Sequence, residues 1–196
     1  MATLSASLTK VGGNTLLSRL LGFVRDLLVA RLFGSDAATD AFFVAFKVPN
    51  LFRRLFAEGA FASALVPVLR TADREGGPDA LRRLIASLSG VLGAILLLFT
   101  FAGILAASWL ILVFAPGFAF EPHQQALAAE LLRLTFPYVL CIVLAALAGS
   151  VLNLHEVFGV PAFTPVLLNL AIIGSAIWLS PRLQEPILAL GWGVLL

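Results

Sequence analysis

The chain has 196 residues, of which 60% are hydrophobic and only 12% are charged. Apolar residues in this proportion and in long runs are typical of helical membrane proteins and exclude an ordinary soluble domain. The net charge of +2 is too small to indicate a nucleic-acid partner. Cys141 is the single cysteine, and His123 and His155 have no ligand-like spacing, so no disulfide within the chain, metal or other cofactor is predicted.

The first predicted helix covers residues 12–33 and ends at Gly34. A helical wheel gathers its polar residues in an arc of about 120°, and these are Thr15, Ser18, Arg19, Gly22, Arg25 and Asp26. A charge at a helix centre costs roughly 2.5–3.5 kcal/mol on insertion scales, so such charges usually face a bundle interior or a wet cavity. This face predicts a polar site. The alternative is a structural ion pair between helices, in which Asp26 neutralises Arg25 or Arg19.

The second predicted helix covers residues 40–69, with Thr39 as its N-cap and a kink at Pro49. One arc of about 80° on the wheel contains Asp40, Lys47, Asn50, Arg54 and Glu58. Arg53 falls to one side of this arc. Because a kink at Pro49 shifts the phase of the wheel, Arg53 stays a candidate beside Arg54.

Loop charges predict the topology. The segment 70–83 is read as a loop broken by Gly76, Gly77 and Pro78, and it carries four arginines. Basic loops stay on the cytoplasmic side, so the N-terminus and residues 70–83 are predicted to be cytoplasmic. A phosphate-binding use of these arginines is the less favoured reading. Residues 115–125 contain no Lys or Arg and are predicted to lie outside, although Arg182 in a later outer loop weakly opposes this assignment.

Four further helices are predicted over residues 84–114, 126–154, 157–180 and 186–196, with a kink at Pro137. Glu130 and Arg133 are predicted to pair at the membrane interface, and Asn169 to form hydrogen bonds between helices. The last segment offers ten apolar residues, too few to span a bilayer. The chain is therefore predicted to be an all-α integral membrane protein of about six transmembrane helices, the last one truncated.

Several blocks resemble one family. SRLLGFVRD (18–26), TDAFFVAFKVPNLFRRLFAEGAF (39–61), APGF (115–118), FPY (136–138) and PAFTPVLLN (161–169) together resemble the MurJ/MviN family of lipid II flippases. That family belongs to the multidrug/oligosaccharidyl-lipid/polysaccharide exporter superfamily. The resemblance implies an alternating-access transporter of the bacterial inner membrane, with two six-helix lobes and a terminal helix pair. Residues 1–196 would form the N-terminal lobe, and the C-terminal lobe would be absent from this chain.

The resemblance also implies a site and a ligand. The ligand would be the undecaprenyl-pyrophosphate-linked peptidoglycan precursor, with membrane lipids as surroundings. The implied substrate-binding residues are Arg19, Arg25, Asp26 and Arg53, and the further candidates for the cavity or for gating are Asp40, Arg54 and Glu58. A pyrophosphate suits arginine, whose planar fork of donors matches phosphate oxygens.

Other functions remain open at this point. A related exporter could carry another polyprenyl-linked glycan or a drug, although the blocks 18–26 and 39–61 argue against it. A membrane enzyme acting on lipid pyrophosphates would also use arginines, but it needs a general acid or base beside the phosphate, and neither histidine is near the arginine-rich helices in sequence. A third alternative is an assembly or regulatory subunit.

Overall fold

The computed structural model describes the backbone of residues 2–57 and 60–196, and the side chains of residues 11–56, 61 and 63–196. Over these residues the chain is helical and contains no strand. The α-helices are α1 (Ala2–Phe33), α2 (Ala37–Ala57), α3 (Ala60–Leu105), α4 (Ala107–Phe114), α5 (Pro122–Thr135), α6 (Tyr138–Leu154), α7 (Gly159–Trp178) and α8 (Leu188–Leu195). Short 3₁₀ turns cover Pro116–Phe120 and Ser180–Arg182.

The α1–α2 turn begins at the predicted residue, but the predicted cap of α2 was wrong. Gly34 follows the last residue of α1 with a φ of 69°, a left-handed conformation that glycine adopts without strain. Asp36 then caps α2, because its Oδ1 accepts a hydrogen bond of 3.0 Å from the backbone N–H of Thr39. Thr39 lies inside the first turn and donates its hydroxyl to the Gly34 carbonyl. The helix therefore begins at Ala37 and not at Asp40.

The segment 70–83, predicted as a loop, is helical. α3 runs through it and departs from helical geometry at Gly77, where φ is 68° and ψ is −171°. These angles are essentially restricted to glycine. One residue thus makes the turn for which a whole loop was expected, and Pro78, which follows it, is at a position where a missing N–H is tolerated in a new helical segment.

Proline has different effects in different helices. At Pro137, where a kink was predicted, α5 ends at Thr135 and α6 begins at Tyr138, while Phe136 and Pro137 keep backbone angles of the right-handed helical region. By contrast, α2 continues through Pro49 and α7 continues through Pro165. Proline has no N–H, so at these two positions the helix lacks one backbone hydrogen bond.

The core lies where α2 packs on α5 and α6. Its fully buried side chains include Leu131 and Leu132 of α5 and Val139 and Val143 of α6. Around this centre α1 packs on α7, α3 on α6, and α8 on α5 and α7. At the edge, Arg133 donates to the hydroxyl of Ser108 on α4 at 3.1 Å. The predicted Glu130–Arg133 pair is therefore wrong, as Arg133 bridges two helices instead.

Three stretches of the described residues are long and apolar enough to cross a membrane, namely Ser63–Leu105, Pro122–Leu154 and Gly159–Arg182. Large apolar side chains on their surfaces are exposed, among them Leu98, Leu105 and Trp178. The chain is thus a helical membrane protein. The count of six spans stays a prediction, because α1 and α2 interrupt their apolar residues with charges.

Candidate functional site

Arg25 is held by partners on two helices. Its Nε and Nη2 atoms donate to Oδ1 of Asp26, the next residue of α1, at 2.9 and 2.7 Å. Its Nη1 atom donates to Oδ1 of Asn169 on α7 at 3.0 Å. The side chain of Arg25 is 27% exposed, and that of Asp26 is 62% exposed. The guanidinium is therefore fixed in direction while one part of it remains accessible.

Asn169 makes α7 a support for α1. It is 6% exposed, and its Nδ2 atom donates to the carbonyl oxygen of Ser18 at 3.0 Å. Gly22 lies between the two bonded positions, and a Cβ built there would be 3.7 Å from Nδ2. Both ends of the Asn169 amide are thus used on one face of α1. The predicted role of Asn169 in hydrogen bonding between helices is confirmed.

The ion pair of Arg25 differs from the interhelical ion pair that the sequence offered as the alternative to a binding site. A structural ion pair between helices was considered, with Asp26 as the acid. The pair that forms joins neighbours on the same helix, and the link between helices is a charge-assisted hydrogen bond from Arg25 to a neutral amide. A guanidinium has five N–H donors. Three of them make the bonds described here. Among the residues that the structure describes, no acceptor is seen for the other two.

Arg53 lies on α2 beside a cavity of about 120 Å³ between α2, α6 and α7. Its Nε atom donates to Oδ1 of Asn50, one turn earlier on the same helix, at 3.0 Å. The cavity wall on α7 includes Pro165 and Leu168. Since Asn169 is the residue after Leu168, the cavity beside Arg53 and the hydrogen bond of Arg25 involve the same stretch of α7.

The remaining candidates that the structure describes do not line the cavity beside Arg53. Arg19, Asp40 and Arg54 are exposed. Glu58 lies outside the described residues. On α1 the predicted polar arc divides, because Ser18, Gly22 and Arg25 are half-buried on the side of α7, whereas Arg19 and Asp26 are exposed.

Sequence reasoning missed the polar wall of the Arg53 cavity. Tyr138, Ser150 and Asn153 of α6 and Thr164 of α7 line it. The only signal was the spacing of Pro161, Pro165 and Asn169, which repeats every four residues and therefore lies along one side of α7. Side chains on α6 gave no such signal, because small and apolar residues surround them.

No three of the His, Cys, Asp and Glu residues that the structure describes lie close enough together to hold a metal ion. His123 and His155 are exposed. Neither lines the cavity beside Arg53 or the small cavity that Arg25 and Asp26 line with Phe42 and Ile172. These arginines can therefore bind an anion through hydrogen bonds and charge, and no histidine lines either of the two described cavities.

Comparisons with known proteins agree with one another. The sequence model of the family described as "Lipid II flippase MurJ" matches residues 29–196. The lipid II flippase MurJ of Burkholderia cenocepacia is 44% identical over 189 residues, which are 96% of this chain and 37% of that protein. The probable lipid II flippase MurJ of Vibrio cholerae is 42% identical over 193 residues, 95% of this chain and 37% of that protein.

A solved structure is similar as well. It is described as lipid II flippase MurJ in an inward closed conformation, and it superposes with a TM-score of 0.79 at 30% identity. The match covers 94% of this chain and 39% of that one. The chain thus spans about 37% of the length of these curated relatives. On these similarities in sequence and in fold, the chain belongs to the MurJ family of lipid II flippases.

Proposed function

We propose that this chain forms one lobe of a lipid II flippase of the bacterial cytoplasmic membrane. The complete transporter moves the undecaprenyl-pyrophosphate-linked peptidoglycan precursor from the inner to the outer leaflet by alternating access between two lobes. The names of the relatives and the closed state of the solved structure support this proposal. The reaction is a transfer between leaflets, and it makes and breaks no covalent bond.

The observation that carries the proposal is the way in which Arg25 is held. Asp26 and Asn169 fix its guanidinium through three N–H groups, and two remain for phosphate oxygens. A pyrophosphate brings about two negative charges, and charge-assisted bonds from arginine to phosphate are roughly twice as strong as neutral ones. Asp26 also reduces the repulsion between Arg25 and other cations of the site.

The other candidate residues take secondary roles in this proposal. Arg53 provides a second cation for the substrate from α2, and Arg19 provides a third from the exposed edge of α1. Asp40, Arg54 and Glu58 act at the cavity rim or in gating. The N-terminus lies in the cytoplasm, with residues 70–83 inside and 115–125 outside, because the arginines of the first segment favour the cytoplasmic side.

A chimera tests this function directly. Residues 1–196 replace the matching part of the Burkholderia cenocepacia flippase, and translocation of the precursor is measured in cells depleted of their own flippase. We expect growth and translocation with the chimera and neither with its Arg25→Ala form at equal membrane level.

A competing exporter function predicts a different result in the same cells. If the chimera transports a different polyprenyl-linked glycan while the peptidoglycan precursor stays in the inner leaflet, the lipid II assignment is wrong. If the Arg25→Ala chimera translocates normally, the binding role of Arg25 is wrong. The second result leaves the family membership untouched.

A further inference from the structure

A groove opens on the surface where α6 ends and α7 begins. It is open on one side, has a volume of about 690 Å³, and lies between the link that joins these helices, the first turns of α7, and Asn14 of α1. Two of the segments that are able to cross a membrane, Pro122–Leu154 and Gly159–Arg182, meet at this link. The groove is therefore at the edge of the bilayer, where lipid headgroups lie.

Glu156 provides the single charge among the described residues that line the groove. Its φ is 62°, and no other described residue except glycine has a positive φ. It follows the last turn of α6, where the N–H of Val157 returns to the Leu152 carbonyl at 2.9 Å. Glycine is the usual residue at such a position, and a helix dipole disfavours a carboxylate there. Because the local structure does not call for a carboxylate, we look for its role in the groove.

The carboxylate of Glu156 is available to a ligand. It forms no ion pair with any residue that the structure describes, and it does not cap α7. Asn14 adds a second acceptor, because its Nδ2 atom donates to the Gly159 carbonyl at 3.0 Å while its Oδ1 atom accepts no bond from the described part of the chain. A carboxylate and an amide oxygen together suit a cation with several N–H groups, such as a primary ammonium.

The start of α7 offers donors to the same groove. The N–H groups of Gly159 and Val160 have no acceptor among the described residues, and the N-terminus of a helix favours negative charge. A Cβ built on Gly159 would meet nothing within 4 Å, so the backbone is open to the groove at this point. The groove thus combines acceptors for a cation with donors for an anion, which suits a zwitterion.

Apolar side chains extend from the groove along α7. Val160, Phe163 and Leu167 line it and are all exposed. They are three and four residues apart, so they share one side of the helix, and they belong to a segment that is able to cross a membrane. An acyl chain can lie on this side. A lipid therefore fits both the polar end and the apolar wall, whereas a soluble ion fits only the polar end.

We propose that this groove binds a phospholipid whose headgroup carries a primary ammonium. The ammonium donates to the Glu156 carboxylate and to Oδ1 of Asn14, the phosphate accepts from the first N–H groups of α7, and one acyl chain lies along α7. Neither Arg25 nor Arg53 lines this groove. The lipid site is therefore separate from the arginines proposed for the precursor, and it does not depend on that proposal.

Native mass spectrometry of the protein in detergent counts bound lipids directly. The protein is titrated with phosphatidylethanolamine, phosphatidylcholine and phosphatidylglycerol that have the same acyl chains. Phosphatidylcholine keeps the positive charge without N–H donors, and phosphatidylglycerol has no cation. We expect one site that binds phosphatidylethanolamine about tenfold more tightly than the other two, as for hydrogen bonds to a charged group. Equal affinities for the three lipids would indicate non-specific binding and overturn the proposal.

Glu156→Gln removes the charge and keeps the shape of the side chain. We expect the dissociation constant for phosphatidylethanolamine to rise about tenfold and that for phosphatidylglycerol to stay unchanged. Glu75→Gln is the matched control, because Glu75 is an exposed carboxylate in the turn around Gly77 and does not line the groove. A Glu156→Gln protein that keeps the full preference for phosphatidylethanolamine contradicts the site.

A second variant tests the position of the lipid and decides the question if Glu156→Gln does not fold. Gly159→Leu adds a side chain where a Cβ meets nothing, and it keeps the carbonyl that accepts from Asn14. We expect the preference for phosphatidylethanolamine to be lost. An unchanged preference in this variant would show that the lipid binds elsewhere.

A soluble competitor separates a lipid from a free headgroup. Phosphoethanolamine has the same charged groups without acyl chains, and we expect it not to displace phosphatidylethanolamine at equal concentration. Full displacement under these conditions would assign the groove to a soluble amine and overturn the lipid. None of these measurements depends on transport, so a failure of the chimera does not affect them.

Discussion

The guanidinium of Arg25 makes three hydrogen bonds that a lysine ammonium could not reproduce with the same geometry. Two run to one oxygen of Asp26 and the third crosses to α7. A lysine has three rotatable donors and no planar fork. Arg25 thus provides a fixed direction of its donors as well as a charge.

Substitutions of Arg25 separate binding from scaffolding. In the chimera, Arg25→Ala is expected to abolish translocation at near-normal membrane level, and Arg25→Lys to keep only part of it, because the charge remains without the fork. The measurement is precursor translocation normalised to protein in the membrane. Should the Arg25→Ala/Asp26→Ala double variant transport as well as the unmodified chimera, Arg25 would be part of the scaffold and its substrate role would be refuted.

Asn169 is expected to matter for stability and for transport together. Asn169→Ala removes the bond to Ser18 and leaves one N–H of a partly buried Arg25 without its acceptor. We expect a loss of about 1–3 kcal/mol in the free energy of unfolding, measured by thermal unfolding in detergent, and reduced translocation. Gln124→Ala is the control, since Gln124 makes an exposed bond to the Ala37 carbonyl. A change no larger than that of the control would contradict a linking role for Asn169.

At the scale of the helix, periodicity gave the polar arc of α1 but not its division. A wheel places Ser18, Arg19 and Arg25 on one side of the helix, yet only packing decides which edge of that side meets α7. Ser18 and Arg25 take that edge and Arg19 does not. The same limit applies to α6, where Tyr138 reads as one more aromatic residue. The cavity that it lines exists only when three helices are assembled.

The helical geometry of residues 70–83 on both sides of Gly77 was missed for a plain physical reason. Charged residues and the Gly-Gly-Pro run in 70–83 resemble a loop in composition, but Ala, Leu, Arg and Glu are also strong helix formers. Only Gly77 leaves the helical region. The composition of 70–83 shows that the segment is polar. It does not show that a single residue, Gly77, makes the turn through its dihedral angles.

Gly77 is accordingly a position that should not accept a side chain. We expect Gly77→Ala to destabilise the protein by about 1–3 kcal/mol, because its φ of 68° with ψ near −171° is costly for an L-residue. Gly90→Ala on the same helix is the control, since a Cβ there meets nothing within 4 Å and alanine favours a helix by roughly 1 kcal/mol. Thermal unfolding of the two variants compares them. A Gly77→Ala protein as stable as Gly90→Ala would mean that the turn can form in another way.

For the whole molecule, the charges predict an orientation in the bilayer, with residues 70–83 inside and residues 115–125 outside. Single cysteines at Ala72 and at Ala119, in a background without Cys141, are to be treated with an impermeant thiol reagent in intact cells. We expect labelling at position 119 and protection at position 72, since the arginines around Gly77 keep this turn of α3 inside. Labelling of position 72 without position 119 would show that the orientation is the reverse of the predicted one.

Pro165 gives α7 a mechanical property that bears on the distance between the two cations. With no N–H to offer the Pro161 carbonyl, this turn of α7 resists bending less than its neighbours do. Pro161 and Pro165 both form walls of the Arg53 cavity, and Asn169, one turn further on, holds Arg25. A bend at Pro165 would move Asn169 and Arg25 relative to the near half of α7, whose Gly159 carbonyl accepts a hydrogen bond from Asn14 of α1. Bending of α7 would then change the distance between Arg25 and Arg53, so that the two cations could adjust to the length of an anion bound between them.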